Sequence, residues 1–189
     1  MDFINYHSYF ENIVKTDATE QIAPYNDVLY YDYTRLNWSR FNRWLKTGKL
    51  TDEIIASVAK ITEPQNWLVI TEPWCGDAAH VVPFIEMIAR LNPNIHLSYE
   101  LRDAEPFSID RYLTNGSKSI PKLVIRDATD KDLAVWGPRP ADCQKVYDSL
   151  LAEKASFDTI KLALQNWYNV NKGQAIQAEL NILIASVLG

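Results

Sequence analysis

One residue of this chain combines nucleophilic chemistry with a position that favours it. Cys75 follows a continuous apolar run, Trp67–Thr71, and precedes a helical pattern carried by Val81, Val82, Ile85, Ile88 and Ala89. Where a strand hands over to a helix, amide N–H groups lack partners and the positive end of the helix dipole faces the side chain. A thiol there is expected to ionise more easily than a free one. The other cysteine, Cys143, begins a later helical segment and reads as a small buried apolar residue. A disulfide needs Cα atoms within roughly 7 Å, and Cys143 is expected to lie too far from Cys75 to resolve it. Glu72 and Asp77 flank the thiol and read as solvated loop carboxylates, with Asp77 also placed to cap the helix. His80 reads as a solvent-facing or packed residue rather than a base for Cys75. His7 and His96 stand apart, and no Cys/His spacing suggests zinc, so neither a metal nor a cofactor is expected.

The elements that must hold Cys75 follow from periodicity. Phe3, Tyr6, Phe10 and Ile13 share one face of a first helix, and Pro24 with the Tyr-rich "PYNDVLYYDY" interrupts it. Trp38, Phe41 and Leu45 mark a second helix stopping at Gly48, and Asp52 is placed to cap a third carrying Ile54, Ile55, Val58 and Ile61. The aromatic cluster of Tyr25, Tyr30, Tyr31, Tyr33, Trp38 and Phe41 reads as core packing, and Arg40, Arg43 and Arg139 as charged helix faces. "WLVIT" between Pro64 and Pro73 suits a central strand buried on both faces. "IHLSYEL" alternates as a second strand, a short helix stops at Asn115-Gly116, and "KLVIRD" and "DLAVWG" form a hairpin around "ATDK". Beyond Pro140 the pattern is helical in three segments, with breaks near Ser156 and at Gly173. Strand–helix–strand followed by a hairpin implies a parallel pair and then an antiparallel pair.

Residues 67–155 resemble the thioredoxin superfamily in the order and placement of four landmarks. Trp74-Cys75-Gly76 matches the opening of that family's active-site loop, and Pro83, eight residues on, matches the proline that kinks the following helix. Ile120-Pro121, just before a strand, looks like the family's cis-proline element, and Trp136-Gly137 matches the turn that returns to the active-site end. The resemblance implies an α/β thioredoxin-like fold, a central mixed sheet of about four strands flanked by helices, with helical extensions at both ends. It implies Cys75 as catalytic residue, with Trp74, Gly76, Asp77, Ile120, Pro121, Trp136 and Gly137 forming the substrate surface. The division it suggests is 1–62 as an N-terminal helical extension packed on the core, 63–155 as the thioredoxin-like core and 156–189 as a C-terminal helical extension, compact as one unit.

The departures set the function question. Ala78 stands where the family carries its resolving cysteine, Asp77 where it carries a proline, and Val69 where it buries a carboxylic acid. An intramolecular Cys-X-X-Cys disulfide is therefore impossible. Two readings stay open. In one, Cys75 is a monothiol oxidoreductase that exchanges with a protein or small-molecule thiol or disulfide and is resolved by an external thiol. In the other, the cleft around Cys75 and Pro121 is a catalytically inactive binding or interaction module. Iron–sulfur or glutathione binding ranks behind both, because Asp77 and Ala78 depart from the monothiol pattern of such relatives.

Composition excludes several classes. The 189 residues carry a formal net charge of −5, which argues against a dedicated nucleic-acid partner. No apolar run reaches membrane-spanning length, and the first residues lack a basic segment followed by an apolar one, so no membrane association and no secretory signal are expected. Two distant cysteines make no disulfide framework, which points to a reducing, cytoplasmic compartment. Oligomeric state is left open by the sequence.

Overall fold

The computed structural model describes residues 1–188. The first two helices are α1 (Phe3–Lys15) and α2 (Val28–Thr47). Asp2 caps α1 by accepting from the Asn5 amide, and Tyr6, Phe10 and Ile13 form its buried face. The Tyr-rich segment is largely helical rather than irregular. Asp27 accepts from the amides of Leu29 and Tyr30, so α2 starts at Val28 and takes in Tyr30, Tyr31 and Tyr33. In α3 (Asp52–Val58) the cap is Thr51, not Asp52, which is the first helical residue.

The sheet has the order β2-β1-β3-β4. Strand β1 (Gln65–Thr71) pairs parallel with β2 (Ile95–Leu101) and antiparallel with β3 (Lys122–Asp127), which pairs antiparallel with β4 (Asp132–Trp136). The crossover between β1 and β2 is α4 (Ala78–Ala89), which contains Pro83. A short 3-10 turn, Ser108–Arg111, stands where the sequence suggests a short helix. The chain finishes with α5 (Ala141–Ala152), α6 (Phe157–Asn171), which Ser156 caps, and α7 (Gln174–Leu188). Gly173 separates α6 from α7 at φ +80, and a Cβ there would meet the Phe84 ring at 2.2 Å, so both backbone and space call for glycine. The whole is an α/β thioredoxin-like fold.

Trp67, Val69 and Ile70 of β1 are fully buried, as a central strand covered on both faces requires. The N-terminal helices join this core. Tyr6 stacks on Tyr99 of β2 at 5.0 Å and Phe10 packs edge-on against Phe41 of α2 at 5.8 Å. Helix α2 runs along α4, and Trp44 of α2 donates its indole N–H to His80 Nδ1 at 2.8 Å. That packing carries the first turns of α2 over the loop that holds Cys75. Among the described residues, no helix is long and apolar enough to cross a membrane.

Candidate functional site

Cys75 ends the loop after β1, and its backbone N–H donates to the Glu72 carbonyl at 3.0 Å. The thiol is 8% exposed and donates to the Ile120 carbonyl at 3.3 Å. The Ile120-Pro121 peptide bond is cis. Burial pushes the Cys75 thiol up to about 12, and the Asp77 carboxylate adds to the shift. The amides of Ala78 and Asp77 and the Arg139 guanidinium pull the other way without overcoming it. The expectation of an easily ionised thiol at a helix start is thus corrected: desolvation outweighs the local amides.

Asp77 does not cap α4 and is not solvated. Its carboxylate pairs with Arg139 Nη2 at 2.7 Å and accepts from the Tyr168 hydroxyl at 2.7 Å, and only 10% of its side chain is exposed. Arg139, too, is a buried partner rather than part of an exposed charged face, and its Nη1 donates to Gln144. These contacts tie the start of α4 to the loop before α5 and to α6. Cys143 is fully buried beside the same group, and burial together with Asp77 holds its thiol up at about 12. Both cysteines are free.

His80 is buried, so its solvent-facing alternative is removed. An indole N–H can only donate, so Nδ1 is the acceptor and the proton sits on Nε2, 3.0 Å from Gln165 Oε1. Burial lowers the imidazole to about 4, and its ring stacks on Tyr168 at 4.4 Å. Neutral and committed at both nitrogens, it is a structural joint of α2, α4 and α6.

Glu72 is likewise buried. It accepts from the Asp103 amide at 3.2 Å, and burial raises its carboxyl to about 7. The hydroxyls of Tyr6, Tyr25 and Thr71 are buried nearby without a partner, and the charge of Glu72 reinforces the burial that raises both phenols. Nothing in the local sequence pattern marks Glu72 as buried, because the residues that cover it come from α1 and the segment after it.

A cavity of about 470 Å³ lies over the Cys75 loop, between the first turns of α2 and the α5–α6 region. Trp74, Cys75, Gly76 and Asp77 line it from below, and Tyr30, Tyr33, Phe157 and Leu164 from the two helices. Tyr30 meets Trp74 edge-on at 6.2 Å, and Asn37 of α2 donates to the Pro73 carbonyl at 3.2 Å. The other expected site residues do not line this cavity. Ile120 touches the sulfur through its carbonyl, Pro121 and Gly137 abut each other, and Trp136 donates to Glu179 of α7 at 2.7 Å. Sequence reasoning missed Tyr30 and Tyr33 as site residues by assigning them to core packing. The one available signal was the Asp27 cap, which extends α2 towards the loop. Among the described residues, no cluster of three or more His, Cys, Asp or Glu could hold a metal ion.

A family model described as Thioredoxin matches residues 24–154 of this chain. The chain belongs to the thioredoxin family. The matched span takes in α2 and α3 as well as the sheet, so the helix above Cys75 lies within the thioredoxin match. No curated protein matches the chain. Among solved structures, the chain is similar to an HIV epitope-scaffold at 19% identity, with 98% of each chain covered and a TM-score of 0.56. It is also similar to a protein of unknown function from Pseudomonas aeruginosa at 18% identity, with 83% of this chain and 89% of that one covered and a TM-score of 0.49. At 19% identity, the first likeness supports the thioredoxin-like fold alone.

Proposed function

We propose that this thioredoxin-family chain is a small-molecule binding module, with Cys75 as part of the floor of its site and not a resting nucleophile. The observation that carries this reading is the cavity of about 470 Å³ built over a protonated, carbonyl-bonded thiol. That volume falls within the range of small-molecule sites, about 300–1,000 Å³. A thiol held near 12 is ionised in only about one molecule in 10⁵ at pH 7. Tyr30 and Tyr33 stand over the Trp-Cys-Gly loop, where a protein disulfide would have to approach. Partners of this site are therefore small molecules rather than nucleic acid or an extended protein strand. Two free buried cysteines suit a reducing, cytoplasmic setting.

The test is a ligand-observed NMR screen of a chemically varied fragment library against the wild type and Cys75→Ala. Hits that bind both proteins, with no covalent mass increase, are expected. A screen without hits, or hits that all vanish with the sulfur, would overturn the reading.

A second reading keeps Cys75 as a monothiol, favoured by the Asp77 and Ala78 amides beside its sulfur. In it the Cys75 thiolate attacks a disulfide, forms a mixed disulfide and expels one thiolate. An external thiolate then attacks the second half's sulfur, carries it off as a new disulfide and expels Cys75 as a thiolate. Its requirement is loss of the Asp77 charge or opening of α2, either of which would raise the thiolate fraction.

A further inference from the structure

Resting on the small-molecule reading above, we infer the ligand class: a flat, neutral aromatic molecule carrying hydrogen-bond-accepting oxygens. Three independent properties of the cavity walls converge on it.

The first is charge. Asp77 is paired with Arg139, Asp158 with Lys161 at 2.8 Å, and Asp27 is occupied by the amides that start α2. His80 is neutral. The buried carboxylate of the walls, Asp77, is thus already paired and the buried imidazole uncharged, while Asp27 and Asp158 stand at exposed positions. A charged ligand group would lose its hydration there and gain no free counter-charge, which is a net cost.

The second is the walls themselves. Tyr30, Tyr33, Trp74, Tyr147, Phe157 and Tyr168 all line the space. Arg102 sits over the Trp74 ring at 4.4 Å and Arg139 over the Tyr147 ring at 4.5 Å. A cation on one face draws on the π-density, which leaves the ring a better stacking partner for an electron-rich ring on the other face. A flexible acyl chain would gain apolar contact there but not the stacking geometry that a flat ring gains.

The third is the hydrogen-bonding remainder. Tyr168 is committed to Asp77, and Gln165 to His80 and Asn169. The hydroxyls of Tyr30 and Tyr147 and the indole N–H of Trp74 have no protein partner among the described residues. Arg40 sits over the Tyr33 ring at 5.2 Å, and the Tyr33 hydroxyl, which lies over Gly76, can donate to a ligand oxygen. The Trp74 indole can only donate, and the phenol hydroxyls can donate as well as accept, so the walls offer donors that match carbonyl or ether oxygens on the ligand.

The experiment is calorimetric titration of the full chain with four probes: flavone, naphthalene, oleate and benzamidine. Flavone is expected to bind at least about tenfold tighter than the other three. Tyr33→Phe is expected to weaken flavone by about fivefold, the worth of one hydrogen bond, while leaving naphthalene unchanged. Leu164→Trp, which fills the space, should abolish flavone binding. Phe157→Ala, at an exposed wall position, should weaken it and serves if the Leu164 variant does not fold. Equal affinity for naphthalene and flavone, or tightest binding by oleate or benzamidine, would overturn the ligand class while leaving the cavity as a binding site. Flavone binding unaffected by both cavity variants would overturn its location. If no probe binds, the class is overturned, and the fragment screen decides separately whether the cavity binds anything.

Discussion

The Tyr33 hydroxyl lies directly over Gly76, so close that a Cβ built on Gly76 would stand 2.3 Å from the Tyr33 oxygen and 3.3 Å from the ring carbon that bears it. The helix before the sheet and the loop after its first strand are fitted to one another at that point. Gly76→Ala should therefore displace Tyr33 and destabilise the fold by about 1–3 kcal/mol, as overpacking does. In a Tyr33→Phe background the clash is mostly relieved, so the same substitution should cost clearly less. Urea unfolding of the four proteins in this cycle measures the coupling. Additive effects would mean that the contact does not hold the loop.

Cys75 should react with iodoacetamide about a thousandfold more slowly than free cysteine at pH 8, because so little of it is thiolate. The rate should keep climbing beyond pH 9 without a plateau. Burial is the larger cause of the shift and Asp77 the next. Asp77→Asn should thus raise the alkylation rate by about tenfold without restoring ordinary reactivity. A wild-type rate that levels off between pH 6 and 8 would favour the monothiol reading.

Glu72 makes stability depend on pH. Its folded value near 7 lies above the ordinary 4.5, so between these values the folded chain binds more protons than the unfolded one. Stability should fall as pH rises through that window, with the penalty absent below about 4.5 and complete above 7. Glu72→Gln should flatten this dependence, adding about 3 kcal/mol at pH 8 and nothing at pH 4. Denaturant unfolding across the range checks it, and an unchanged slope in the variant would remove Glu72 as the cause.

The Asp77–Arg139 pair is buried on both sides, with 10% and 12% of the side chains exposed. Arg139→Ala leaves a buried carboxylate uncompensated and should cost about 3–5 kcal/mol. Asp77→Asn combined with Arg139→Met removes both charges and should recover most of that loss. Unfolding midpoints of the single and double variants decide it. Equal losses in both would show that packing, not charge, is what the pair supplies.

The strands, the crossover helix and the three C-terminal helices were legible because each carries a local pattern. "WLVIT" is apolar throughout, "IHLSYEL" alternates, and Ser156 and Gly173 punctuate the helical third. Cys75, Trp74, Gly76 and Asp77 were legible as neighbours of one loop. Their environment was not. Burial of Cys75, Glu72 and His80 comes from α1, α2 and α6, many residues away in sequence, and desolvation by distant elements leaves no mark in a local window. Asp77 shows this most plainly: next to Cys75 it reads as a solvated cap, yet its partners are Arg139 and Tyr168. Trp136 and Gly137 illustrate the opposite limit, since a motif match placed them with the site residues while Trp136 is held by Glu179, outside the cavity wall.

Helix α2 is fixed in its C-terminal half by the Trp44–His80 bond and by Phe41 in the aromatic core, and its first turns reach over the thiol. One continuous rod therefore serves as both foundation and ceiling. A gene fragment starting at residue 63 would lose the rod and bare Tyr99 and the loop together, so this sheet is no interchangeable cassette. Grafting it into another scaffold would require carrying the preceding helices along, and recombination points should be sought at the surface turns, such as the 128–131 hairpin, instead.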